Sequence, residues 1–265
     1  MGAPIALSIA GSDSSGGAGI EADLKTFSAL GVYGACVITA LTAQNTKGVS
    51  AIQAVSADLV AAQIDAVFSD LNVGAVKIGM LANASIVEAV AAGLDRYGVR
   101  NVVLDPILAA STGAELLRAD AIDALRSLAG KVRVFTPNLF EAAVLLEVPM
   151  AQDEVEMHSQ AQKLLALGAG AVLIKGGHGG GSESVDLLVD NEGDTRFAAP
   201  RIATRNTHGT GCTLASAIAA GLAKGLPLNG AVSEAKAYVS AAITAADRLN
   251  IGSGHGPLHH FFKWW

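Results

Sequence analysis

Asn206-Thr207-His208-Gly209-Thr210-Gly211-Cys212-Thr213 runs straight into the apolar stretch Leu214-Ala215-Ser216-Ala217-Ile218-Ala219-Ala220-Gly221-Leu222. A small-residue loop opening into such a run reads as the start of a helix. The first four N–H groups of a helix have no partner within it, and the aligned peptide dipoles place about half a positive charge there, so the site attracts an anion. Gly209 and Gly211 have no Cβ, which lets the backbone take positive φ and lie flat against a phosphate. Cys212 falls in the first turn, where the same field favours its thiolate and makes its proton transferable. The competing reading is a plain turn, with Thr210 as the cap and Cys212 as a small core residue. The chain has neither a GxxxxGK[ST] nor a GxGxxG after a strand, so the two best-known nucleotide loops are excluded.

Outward from this loop, short apolar runs ending in Gly, Asp or Asn alternate with segments of helical period. Residues 5–10 precede 19–30, 75–78 precede 84–96, 102–104 precede 114–128, and 132–135 precede 139–146; a helix over 154–167 leads into a strand over 171–174. Continuously apolar strands in a βαβ rhythm imply a parallel sheet covered on both faces, with ligands outside the carboxyl ends of the strands. Two stretches break the rhythm. Residues 33–43 and 49–55, joined through Gln44-Asn45-Thr46-Lys47-Gly48, read as a two-stranded flap outside the repeat. Gly176-Gly177-His178-Gly179-Gly180-Gly181-Ser182 is too rich in glycine for regular structure; a strand over 184–189 and an acidic turn over 190–194 follow. Helices over 214–224 and 229–249, split at Pro227, end the pattern. No linker, repeat or low-complexity tract divides residues 1–265, so one domain is expected.

Composition narrows the function classes. The chain of 265 residues is 51% hydrophobic and 16% charged, with a formal net charge of −6. That offers ample core and no basic stripe for nucleic acid or acidic lipid. Cys36 and Cys212 lie far apart, no apolar stretch is long enough to span a bilayer, and the first eight residues lack the basic region of a signal peptide. A reduced, cytoplasmic setting and no membrane partner are the expectation.

The strand exits hold the candidate chemistry. Gly11 to Gly19 is a loop of small residues, and on the next helix Asp23 shares the apolar stripe of Ile20, Leu24, Phe27 and Leu30. A carboxylate facing inward meets either a ligand or an internal partner, because burying it alone is costly. Other exits carry Lys77-Ile78-Gly79-Met80, Asp105-Pro106, Thr136-Pro137-Asn138-Leu139-Phe140-Glu141 and Lys175-Gly176-Gly177. Asp105, Asn138 and Glu141 suit Mg²⁺, directly or through its waters, and Lys175 suits a phosphoryl group. Against this, Asp105 also reads as a turn cap, Asn138 and Glu141 as a capping box, and Lys77 and Lys175 as solvated; their joint position at one end of one sheet, facing the same edge as the loop before Leu214, favours the site. His208 reads as shaping its loop, and His255, His259 and His260 as part of a packed or disordered end rather than a metal site.

Taken together, Ala10-Gly11-Ser12-Asp13-Ser14-Ser15-Gly16-Gly17-Ala18-Gly19-Ile20 with Ala22-Asp23, Leu41-Thr42-Ala43-Gln44-Asn45-Thr46, Lys77-Ile78-Gly79-Met80-Leu81, Asp105-Pro106, Thr136-Pro137-Asn138-Leu139 with Glu141, Lys175-Gly176-Gly177-His178, His208-Gly209-Thr210-Gly211-Cys212 and His255-Gly256-Pro257 resemble the hydroxymethylpyrimidine and phosphomethylpyrimidine kinases of thiamine biosynthesis. The resemblance implies a ribokinase-like three-layer α/β/α sandwich, usually a homodimer, that phosphorylates hydroxymethylpyrimidine and then its monophosphate with ATP and Mg²⁺. It places the pyrimidine among Gly11, Asp23, Gln44 and Met80, where the Gln44 amide suits the ring edge because it both donates and accepts. It places Cys212 where most ribokinase-like enzymes carry an aspartate base, and makes Gly209, Thr210, Gly211 and Cys212 the anion hole. Asn138, Glu141 and Asp105 fall in the magnesium and phosphate region, with Lys175 beside the ATP phosphates and Lys236 at a further nucleotide position. Phe140, where proline is usual, and Ala110-Ser111-Thr112-Gly113 depart from the pattern. Rival readings are a pyridoxal kinase on the same scaffold, a hydrolase or transferase with Cys212 as nucleophile, and a nucleotide-sensing module without turnover.

Overall fold

The computed structural model describes residues 2–109, 116–177 and 181–265. In chain order the elements are β1 (Ile5–Asp13), α1 (Gly19–Ala29), β2 (Tyr33–Asn45), β3 (Gly48–Ala54), α2 (Ala57–Phe68), β4 (Ala75–Ile78), α3 (Ala84–Arg96), β5 (Val102–Leu104), α4 (Ile122–Ala129), β6 (Val134–Phe135), α5 (Leu139–Leu146), α6 (Glu154–Leu165), β7 (Ala171–Lys175), β8 (Glu183–Asp190), β9 (Asp194–Pro200), α7 (Thr210–Ala223) and α8 (Leu228–Thr244). The strands form one sheet in the order β3-β2-β1-β4-β5-β6-β7-β8-β9. From β2 to β7 neighbours are parallel; β3 at one edge and β8 and β9 at the other are antiparallel.

Side chains alternate across the strands and build two cores. Leu7, Ile9, Val76, Ile78, Val102, Leu104, Phe135, Val172 and Ile174 meet α2 to α6 on one face. Ala6, Ala75, Val103, Val134, Ala171 and Leu173 meet α1, α7 and α8 on the other. The small side chains on this second face let α7, itself rich in alanine and buried along most of its length, lie close to the sheet. The result is the three-layer α/β/α sandwich expected from the βαβ rhythm.

Four details differ from that expectation. The segment read as a flap outside the repeat is only partly separate: β2 pairs in parallel with β1 from Tyr33 onward, and the hairpin with β3 begins at Ala40. A long strand serves both roles because its two ends find different neighbours. The helix expected over 114–128 begins in its described part with a short 3₁₀ turn at Ala119–Ala121 and becomes α-helical at Ile122; residues 110–113 and 178–180 of the sequence motifs lie outside the described residues. Helix α2 and edge strand β9 were not anticipated. The first is announced by Ser56, whose hydroxyl accepts the Leu59 N–H as an N-cap.

Phe135 is fully buried in the short central strand β6. Phe135→Ala is expected to lower the free energy of unfolding by about 3–5 kcal/mol in urea melts. A loss below about 1 kcal/mol would show that the site collapses around the cavity.

Candidate active site

Parallel strands share one carboxyl edge, and the loops leaving it are fastened to one another. At the β1 exit the Asp13 carboxylate accepts hydrogen bonds from the N–H groups of Ser15, Gly17 and Ala18 at 2.8, 3.1 and 2.9 Å and from the Ser15 hydroxyl at 2.8 Å. It also accepts from His208 Nε2 at 2.8 Å. Burial alone would raise this carboxyl, but the bonds from His208 and Ser15 outweigh it and hold the group near about 2. His208 therefore ties the β1 exit to the loop before α7, the shaping role expected of it. Its backbone N–H donates to the Gly256 carbonyl at 3.0 Å, which joins the C-terminal segment to the same loop.

Gly209 is the N-cap of α7, with φ of 82°, and no side chain caps the helix. A Cβ on Gly209 would lie 2.0 Å from the Gly17 carbonyl oxygen, and one on Gly17 would lie 2.5 Å from the His208 ring. Gly209 needs glycine because its backbone lies against that of Gly17, and Gly17 because the His208 ring lies over it. Thr210, considered as the cap, instead donates its hydroxyl to the Thr207 carbonyl at 2.7 Å. No side chain caps the helix start, where the Thr210 N–H reaches the Thr207 carbonyl at 3.2 Å. Gln44 Nε2 stands 3.3 Å from His208 Nε2, and a Cβ on Gly11 would stand 2.9 Å from the Met80 sulfur. Gly11, Gln44 and Met80 gather at this end of the edge.

The other end is charged. Lys175 Nζ lies 2.5 Å from Asp105 Oδ1 and 3.8 Å from Glu141 Oε2, and a Cβ on Gly211 would stand 3.3 Å from that ammonium and 3.4 Å from Asp105 Oδ2. The structure brings Gly211, Lys175, Asp105 and Glu141 together. Lys175 is 9% exposed, so the solvated reading fails. Burial would lower its pKa, but Asp105 and then Glu141 outweigh it and raise it. Burial pushes the Glu141 carboxyl above the usual range; Lys175 opposes that and Asp105 adds to it. The capping box is present as well: Asn138 accepts the Glu141 N–H at 2.9 Å, and Glu141 accepts the Asn138 N–H at 2.7 Å. Glu141 is thus at once a cap and a partner of Lys175. Among the described residues no group of three or more His, Cys, Asp or Glu could hold a metal. Two carboxylates beside an anion site fit Mg²⁺ that arrives with its waters on a phosphate, not one caged by protein alone.

Three expectations are corrected. Asp23 is fully buried and turned inward, accepting from Lys77 at 2.8 Å, Ser8 at 2.5 Å and Ser216 at 2.6 Å, so its carboxylate is paired internally rather than offered to a ligand. Cys212 is 6% exposed, and burial pushes its thiol up to about 11. Lys77 and an N–H from Gly19 draw it down while Asp23 and Asp105 push it up, so the thiolate-favouring field of the helix start is outweighed. Lys77, read as solvated, is completely buried.

Lys236 lies on α8 and donates to Asp186 at 2.7 Å and to Ser184 at 3.1 Å; Asp186 also accepts the Gly176 N–H at 3.1 Å. It therefore braces the β7 exit. His259 and His260 are buried: His260 Nε2 meets the Thr213 hydroxyl at 3.0 Å, and burial pushes the His260 ring down to about 4, keeping it neutral. The chain end is packed there, while Trp264 and Trp265 are exposed. Sequence reasoning missed the roles of Asp13 and Lys77. A lone Asp in a serine and glycine loop, and a lone Lys in an apolar strand, were the available signals.

The family model for phosphomethylpyrimidine kinase matches residues 13–259. The hydroxymethylpyrimidine/phosphomethylpyrimidine kinase of Rhizobium meliloti is 62% identical over 262 residues, covering 98% of both chains. That of Escherichia coli is 55% identical over 261 residues, again covering 98% of both. Among solved structures, an ADP complex of Bacillus subtilis pyridoxal kinase superposes with a TM-score of 0.89 at 36% identity, covering 98% of each chain. A match over nearly the full length, together with these identities and the glycine-opened helix start at the common edge of a ribokinase-like sandwich, makes this chain a member of the phosphomethylpyrimidine kinase family.

Proposed function

We propose that the protein transfers the γ-phosphoryl group of ATP to the hydroxymethyl oxygen of hydroxymethylpyrimidine, and then a second phosphoryl group to the monophosphate. These are the thiamine-biosynthetic steps that the family resemblance implies. The observation that carries this reading is the uncapped start of α7, with Gly211 against the Lys175–Asp105 pair and Gly209 beside the loop of Gly11 to Gly19.

Phosphoryl transfer through a loose transition state asks mainly for positioning and charge stabilisation. The N–H groups of Gly209 to Cys212 and the Lys175 ammonium supply positive charge where the transferring group passes. Gly11, Gln44 and Met80 hold the pyrimidine, and Asn138, Lys175 and Lys236 serve the nucleotide. Asp105 and Glu141 would hold Mg²⁺ through its waters, and the ion would neutralise phosphate charge. The hydroxyl oxygen bonds to phosphorus, the bridging bond breaks with its electron pair leaving on ADP, and the hydroxyl proton passes to the Cys212 sulfur in its thiolate form. The whole chain serves as one kinase domain, with the β2–β3 hairpin as its flap, in a cytoplasmic homodimer. Among the described residues no helix is long and apolar enough to cross a membrane.

Incubation with ATP, Mg²⁺ and hydroxymethylpyrimidine, followed by mass detection, is expected to yield mono- and diphosphate; absence of both products would refute the reading. A pyridoxal kinase is the second reading, favoured by the Bacillus subtilis superposition, and the ratio of kcat/KM for the two substrates decides between them.

Cys212→Ala is expected to cut kcat by roughly 10²- to 10⁴-fold while calorimetry shows ADP binding retained. Full activity would remove Cys212 from the base role.

Because burial holds the thiol protonated at neutral pH, only its small ionised fraction accepts a proton. Turnover should rise as pH increases from 7 to 9, by up to about tenfold per unit. Cys212→Ala should abolish the rise in its residual activity; an unchanged slope would assign it to another group.

A further inference from the structure

The sheet face beneath α1 and α7 is small and apolar, with Ala6, Ala75, Val103, Val134, Ala171 and Leu173, until Ser8 and Lys77 interrupt it. These two are register partners on β1 and β4. Lys77 Nζ is 2.8 Å from Asp23 Oδ2, and neither side chain has any exposure. The carboxylate is saturated from two sides: Ser8 donates to Oδ2 and Ser216 to Oδ1. Ser216 lies four residues beyond Cys212, so both occupy the same face of α7. A Cβ on Gly79 would stand 2.7 Å from Lys77 Nζ, which puts the ammonium under the β4 exit, at the active edge of the sheet.

Stability alone does not account for this arrangement. A buried ion pair costs more desolvation than most of its attraction returns, and a well-packed apolar pair of similar volume often serves as well or better. A pair kept in the centre of an apolar face, and tied to the helix that bears the reacting groups, has a positional use. We propose that Lys77, oriented by Asp23, is a positioning residue for phosphoryl transfer. Its ammonium and the Ser216–Asp23 link hold the first turns of α7 in place against the strand exits and fix the positive end of a neutral ion pair under the β4 exit. The direction of the Lys77 pKa accords with this: burial would lower it, but Asp23 chiefly, and Asp105 after it, raise it, so the ammonium stays charged at neutral pH.

The inference rests on the kinase reading, and a double-variant comparison tests it. Asp23→Asn and Lys77→Met each leave one buried partner alone and should lower both the melting temperature and kcat. The double variant Asp23→Asn/Lys77→Met should regain most of the melting temperature. Its kcat should stay at least about tenfold below wild type, with KM for ATP within about twofold. A purely structural pair predicts that kcat returns together with the melting temperature, and that result would overturn the proposal. If the double variant does not fold, Ser216→Ala, which deletes a single hydroxyl, should still lower kcat severalfold; unchanged kcat there overturns it too. A wild-type protein without turnover overturns the kinase reading and this inference with it, whereas an active wild type beside a fully active double variant overturns this inference alone.

Discussion

The site depends on a backbone contact: Gly209, in left-handed conformation at the head of α7, lies against the carbonyl of Gly17. A helix start exposes N–H groups only if nothing caps it, and it holds them in a fixed place only if the preceding loop is held. Here the loop is held by Asp13, through His208 on one side and the N–H groups of its own loop on the other. The carboxylate supports the start of α7 without capping it. The C-terminal segment adds a second fastening, through Gly256 to His208 and His260 to Thr213.

Around that helix start the charges alternate in sign and are nearly all buried. Asp23 and Lys77 lie beneath α7, and Asp105, Lys175 and Glu141 flank it. Asp23 beside Lys77, and Asp105 with Glu141 beside Lys175, offset the burial of each ammonium and keep it ionised. Cys212 sits among these groups, and burial decides its titration. The dipole of a helix start contributes on the order of 0.3–1 kcal/mol at an exposed position. Loss of solvent around a buried thiol outweighs it.

Most of the architecture was legible because it follows from periodicity. Continuous apolar runs became parallel strands, and α3 and α5 occupy the residues their pattern marks. The Asn138 and Glu141 pattern announced a capping box and also lies at the charged site, because a strand exit is where a helix must begin. Edge strand β9 was not legible: its residues alternate in exposure and have a neighbour only once β8 is in place. The apparent flap was half legible, since hairpin pairing is local while the parallel pairing of β2 with β1 joins residues far apart in sequence.

The sequence by itself determined the sheet class, the glycine-opened helix start and the set of polar residues at the strand exits, all of which depend on spacing and on the absence of a side chain. Only the tertiary structure decided how those polar groups share partners. Asp23 faces inward because Ser8, Lys77 and Ser216, distant in sequence, converge on it, and Cys212 holds its proton because the folded chain buries it beside Asp23 and Asp105. Burial and charge pairing are sums over neighbours from many elements, and no local pattern contains them.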